Sequence, residues 1–153
     1  MSEDEEPDMQ TALVPAGPLL GHSAMSRRER DYVMFAIFTR MQHQRPKDAL
    51  RLVEAMIALG ETGPDVYFAR AVVQFHLEDF EAVIETLRHL DRIDPPKLYV
   101  TKKADEKLRM RSFMRARSHF SLTGTLDDEG RASLDMYLRQ SAGPKAAGKK
   151  KKR

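Results

Sequence analysis

Five histidines, His22, His43, His76, His89 and His119, are the first side chains that could do chemistry. A helical metal site or acid–base pair needs two such rings three or four residues apart, on one face. No two of the five are so spaced. Cysteine is absent, which removes thiolate nucleophiles, disulfides and cysteine-ligated zinc together. The sequence holds no complete phosphate cradle, whether Gly-x-x-x-x-Gly-Lys-Ser/Thr or Gly-x-Gly-x-x-Gly, and no nucleophile elbow. Gly21, Gly60, Gly63, Gly124 and Gly130 fall at expected breaks in the helical pattern, where backbone needs account for them. The expectation is a protein that is not an enzyme and holds no cofactor and no metal.

Two other sets of residues carry the chemistry of association instead. Met34, Phe38 and Met41 stand at i, i+4 and i+7, and Phe68, Val72 and Phe75 repeat that spacing. Phe113 and Phe120 repeat it again, with Arg117 in the middle position. Such a stripe is either a core face or an adaptable apolar groove for a partner's amphipathic segment. The polar residues Arg70 and Gln74 beside it favour the groove. The second set is basic. Lys97, Lys102, Lys103, Lys107, Arg109, Arg111, Arg115 and Arg117 face only Asp105 and Glu106 over residues 97–120. Of these, Lys107, Arg109, Arg111, Arg115 and Arg117 form a candidate basic patch. It could neutralise phosphates, meet an acidic protein segment, or lie solvated. No aromatic residues interleave it on one clear face as base stacking requires.

The elements that must position these residues read as helices. Ser26 with Glu29 has the form of a capping box. Val33, Ile37 and Met41 then recur at helical spacing. Pro46 fits the first turn of a second helix that ends at Gly60. Gly63-Pro64 marks a turn, and Asp65 is placed to cap a third helix running to about Leu77. A fourth begins at Asp79-Phe80 and stops near Asp94, before Pro95-Pro96. A fifth covers about Thr101 to Leu122, and Asp127 or Asp128 opens a sixth that reaches about Gln140. No segment sustains the period-2 alternation of a strand. The helical domain is expected over residues 26–140.

Both ends differ from this middle. The first eight residues carry five acids and no base, and Lys145–Arg153 carries six bases and no acid. Neither end has the apolar content to offset its ordering entropy. Residues 1–25 and 141–153 are therefore expected to be disordered tails, the second a solubilising run or a tether to nucleic acid or a membrane surface. Ser2-Glu3-Asp4-Glu5-Glu6 has the wrong sign for a secretory leader. The run Thr11–Leu20 is short and interrupted by Pro15, Gly17 and Pro18, too short to span a bilayer. With no cysteine, this reads as a cytoplasmic protein.

Residues 30–63 and 64–97 align without a gap at a period of 34. Val33 meets Tyr67, Ile37 meets Ala71, Met41 meets Phe75, Ala49 meets Val83, Val53 meets Leu87 and Met56 meets Leu90. A third unit follows if about 11 residues are inserted near Pro96–Lys107, matching Ala116 to Ala71 and Phe120 to Phe75. This period of helix-turn-helix is that of the tetratricopeptide repeat. Asp79-Phe80-Glu81-Ala82-Val83-Ile84-Glu85, followed by Ile93-Asp94-Pro95, resembles the family's second helix and closing Asp-Pro. Ala71 matches its small residue between paired helices. Glu78 in place of the turn glycine and Val83 in place of alanine depart from the pattern, as does Gly60-Glu61 where the first unit lacks Asp-Pro.

The resemblance implies an all-α fold of three helix pairs in a short right-handed superhelix. It also places the Met34 to Phe120 stripe on the concave face. Chain length and the segment Arg30–Pro95 are further similar to the small tetratricopeptide chaperones of bacterial type III secretion. That similarity implies a cytoplasmic chaperone or adaptor that masks an apolar helix of an export substrate or co-chaperone, alone or as a homo- or heterodimer. The reading kept beside it is a basic helical adaptor that binds nucleic acid through the fifth helix and the lysine-rich tail.

Overall fold

A computed structural model of the chain describes residues 23–96 and 102–141. The expected acidic segment up to His22, the basic tail and the start of the fifth helix at Thr101 lie outside them. Six helices follow one another: α1 Arg27–Gln42, α2 Pro46–Ala58, α3 Pro64–His76, α4 Phe80–Ile93, α5 Lys102–Thr123 and α6 Asp128–Ser141. There is no strand among the described residues.

Local chemistry sets the starts. Ser26 Oγ accepts from the Glu29 amide at 3.3 Å, and the Glu29 carboxylate accepts from the Ser26 amide at 2.8 Å. This reciprocal box satisfies two amide donors that the first turn of a helix leaves open. The hydrogen bonds from Ser26 hold the Glu29 carboxyl below its usual range. Pro46 and Pro64 occupy first-turn positions, where proline's missing N–H costs nothing. Asp79 caps α4 by accepting from the Ala82 amide. Asp127 opens α6, its Oδ1 accepting from the Gly130 amide at 2.7 Å.

Three expectations need correcting. Asp65 does not cap α3. Gly63 is the N-cap, and Asp65, one residue into the helix, takes the Lys107 ammonium at 2.6 Å. Gly130 is not at a break but inside the first turn of α6, where an added Cβ would sit 3.3 Å from His119 Cβ and 3.1 Å from Leu126 Cδ2. The packed chain also begins earlier than residue 26. The Ala24 amide donates to the Leu59 carbonyl at 3.0 Å, the Ser23 hydroxyl bonds the buried Glu61 carboxylate, and Met25 packs on the core.

The turns of the first two hairpins have the same construction. Gln44 and Glu78 both take positive φ, 56° and 59°. The Gln44 amide bonds Met41 O and that of Glu78 bonds Phe75 O, each at 3.1 Å. The amides of Arg45 and Asp79 reach back to Arg40 O and Gln74 O. These bonds recur at the 34-residue offset.

Each helix packs on the next, and α3 also reaches α5. One core cluster joins α1, α2 and α3 through Ile37, Ala49, Val53, Met56, Val66 and Val73. A second joins α3, α4 and α5 through Tyr67, Ala71, Val83, Leu87, Leu90 and Met114. Since α3 contributes to both, it is the central element, and the face it turns away from them is where a site can form.

Candidate functional site

Phe68, Val72 and Phe75 on α3 rest one side on the second core cluster and are only partly buried. From α5, Lys107, Met110 and Phe113 come up beside them, and α6 adds Tyr137. The Phe75 and Phe113 ring centroids are 5.9 Å apart at 62°, and Phe113 and Tyr137 are 5.5 Å apart at 46°. Phe75 also meets Phe80 edge-on at 6.0 Å. These tilted and edge contacts suit the ring quadrupoles and fix the rings without covering them. Lys107 Nζ stands 5.8 Å from the Phe68 ring centre while paired to Asp65.

Two shallow depressions open along this ledge. One, of about 460 Å³, is lined by Glu106, Arg109, Met110, Phe113 and Tyr137. The other, of about 250 Å³, is lined by Phe68, Glu106, Lys107 and Met110. Glu106 and Met110 belong to both, so the two are continuous. The ledge thus runs from Phe68 through Met110 to Phe113 and Tyr137. Met110, Phe113, Arg117 and Phe120 are all exposed on α5, and helical geometry puts them, with Arg109, on one face. The flanks of the ledge therefore carry Arg109 and Arg117 against Glu106.

The expected stripe divides in the structure. Met34 and Met41 are partly buried against the first core cluster. Phe68, Val72 and Phe75 are shared between core and ledge. Phe113 is exposed within the ledge, and Phe120 is exposed two turns further along α5. Phe38 is exposed on α1, away from the ring contacts that build the ledge. Arg70 and Gln74 do not line an open groove. Arg70 Nε donates to Glu54 Oε1 at 2.8 Å, and buried Gln74 accepts from Thr86 Oγ1 at 2.7 Å.

The five basic residues of α5 do not form one patch. Arg111 is buried, donating to Asp94 Oδ2 at 2.5 Å and to the Asp94 carbonyl at 2.9 Å. Arg115 pairs with Asp91, and its Nε lies 3.6 Å from Glu129. His119, also buried, lies between Asp127 at 3.3 Å and Glu129 at 3.5 Å. These groups fasten α5 to α4 and α6, which leaves Arg117 exposed, Arg109 partly so, and Lys107 partly so and paired to Asp65. Missing from the sequence reading were Met110 and Tyr137. Met110 is three residues before Phe113, a spacing that shares a helix face. Tyr137 had no such signal, because only tertiary packing brings α6 to α5.

Among the described residues no group of His, Asp and Glu is placed to hold a metal ion. None of their helices is long and apolar enough to cross a membrane. No family model matches the chain, and no curated protein or solved structure does either. The class that the fold and the ledge define is an all-helical protein of successive packed hairpins.

Proposed function

We propose that the chain is a tetratricopeptide-like binding protein, a chaperone or adaptor that holds an apolar helix of a protein partner against the ledge. The observation that carries this reading is the convergence of Phe68, Met110, Phe113 and Tyr137 from three helices on one open surface. Partly exposed aromatics and methionine, fixed on rigid helices, are the composition of an adaptable anchor site. The recurring αL turn at Gln44 and Glu78, with its matched hydrogen bonds, supports the repeat assignment. Arg109 and Arg117 beside the rings favour a partner helix with acidic residues along its flanks. That the partner is a type III secretion substrate or co-chaperone, met in the cytoplasm, rests on the family resemblance. Nucleic-acid binding through α5 is the weaker reading, because Arg111 and Arg115 are committed to Asp94, Asp91 and Glu129.

The test is co-purification with proteins encoded beside this chain's gene, comparing the native chain with Phe113→Glu. The expected result is retention by the native chain and a loss of about 2 kcal/mol or more, roughly thirty-fold in Kd, for the variant. Equal retention by both would refute the ledge as the binding surface.

A further inference from the structure

Helix α1 buries Ile37, yet it also holds Tyr32, Phe35 and Phe38 at 73%, 67% and 59% exposure. Three large rings in succession on one helix are too many to be scattered surface apolar groups. The internal repetition says what such a face is for. In the second hairpin Val66, Ala69 and Val73 are the α3 residues that pack into the cluster formed with α1 and α2. Thirty-four residues earlier stand Tyr32, Phe35 and Thr39. The α1 face is therefore the counterpart of a face that α3 uses to receive a neighbouring helix, and no described residue covers it.

We propose that this face joins two copies of the chain through an antiparallel, two-fold pairing of their α1 helices centred on Phe35. The spacing is symmetric about that residue, so Tyr32 of each copy lies opposite Phe38 of the other. The same pairing sets Arg28 opposite Gln42 and Asp31 opposite Thr39. A parallel pairing would instead oppose Arg28 to Arg28 and Asp31 to Asp31, which like-charge repulsion disfavours. A self-complementary patch on a closed two-fold is also the commonest way for soluble chains to assemble. A hollow of about 550 Å³ beside Tyr32, lined by Met25, Val33 and Leu59 among others, offers room for a side chain of the second copy. The three rings expose on the order of 400 Å² per copy, given the usual area of an aromatic side chain. Two copies then withdraw roughly 800 Å² in rings alone, and the flanking polar residues bring the total near the ~1,000 Å² that a specific interface needs. The pairing leaves the Phe68–Tyr137 ledge free, so it stands whether or not the ledge binds a helix.

The test is the solution mass of the full chain over a range of concentrations, by sedimentation, for the native protein and for Phe35→Glu. The expected result is a dimer for the native chain and a monomer of unchanged helicity and melting for the variant. A native chain that stays monomeric at its solubility limit, an open-ended series of oligomers, or a dimer unaffected by Phe35→Glu would each overturn the proposal. Because the chain has no cysteine, the orientation can be read on folded protein should Phe35→Glu fail to fold. Tyr32→Cys and Phe38→Cys should each fail to cross-link alone and should form a disulfide-linked pair when mixed under oxidant. Self-linking of either variant alone, or no linking in the mixture, would overturn the antiparallel pairing.

Discussion

Arg111 sits where a charge is expensive to keep, and three oxygens answer it: both Asp94 acceptors and, at 3.8 Å, Asp91 Oδ1. Removing the cation strands Asp94 and Asp91 at the joint between α4 and α5. Both carboxylates keep part of their surface in water, so the loss is that of charged hydrogen bonds, about 1.5–3 kcal/mol, and not that of a fully buried pair. Arg111→Met should lower the unfolding free energy by that order, whereas exposed Arg117→Met should leave it within about 0.5 kcal/mol. Equal urea midpoints for the two variants would mean that the pairing contributes nothing. The same residues show why a one-dimensional reading made α5 a basic patch. Counting charges over residues 97–120 found two acids, but the partners lie elsewhere: Asp91 on α4, Asp94 at its C-cap and Glu129 on α6. Sequence distance concealed a neutralisation that the fold supplies. Gly130 was misread for a related reason, since its close approach to His119 is a tertiary fact with no local signature.

At the scale of elements, helix order and boundaries were legible because their determinants are local. The Ser26–Glu29 box, the prolines at Pro46 and Pro64, Asp79 and the Pro95-Pro96 stop act within a turn of where they stand. Ile37, Ala71, Val53 and Leu87, apolar positions picked out by their helical spacing, are all buried in the two core clusters. The turns carry a departure with an energetic consequence. Glu78 holds φ at 59°, in the left-handed region where a Cβ crowds the backbone and glycine is at ease. Glu78→Gly should therefore stabilise the domain, by up to about 1 kcal/mol after glycine's own entropy cost is subtracted. Thermal melting checks it, and a lower Tm would show that the carboxylate does more in that turn than the strain it carries. Acid should act on another local device. The Glu29 carboxyl titrates below its usual range in the folded chain, so its contribution is present above the unfolded pKa. It is lost as pH falls through the lowered folded value.

Across the whole molecule the apolar side chains divide into those that build the core and those that stay open to solvent. Leu87, Val83 and Ala71 are sealed between helices. Phe113 and Tyr137 touch each other across the α5–α6 joint and face outward over an open depression. An aromatic stripe at helical spacing cannot announce which of these it is, because the period is the same for both. The deciding fact is which helix arrives next, and that is set by all six together. Substitution by a carboxylate separates the two roles, since a charge on an open surface stays hydrated while a buried one has no partner. The most direct measurement is circular dichroism melting of Phe113→Glu beside Leu87→Glu. The account predicts a native-like cooperative transition for Phe113→Glu and an unfolded or precipitating chain for Leu87→Glu. Collapse of both variants would make Phe113 part of the core and contradict the binding ledge.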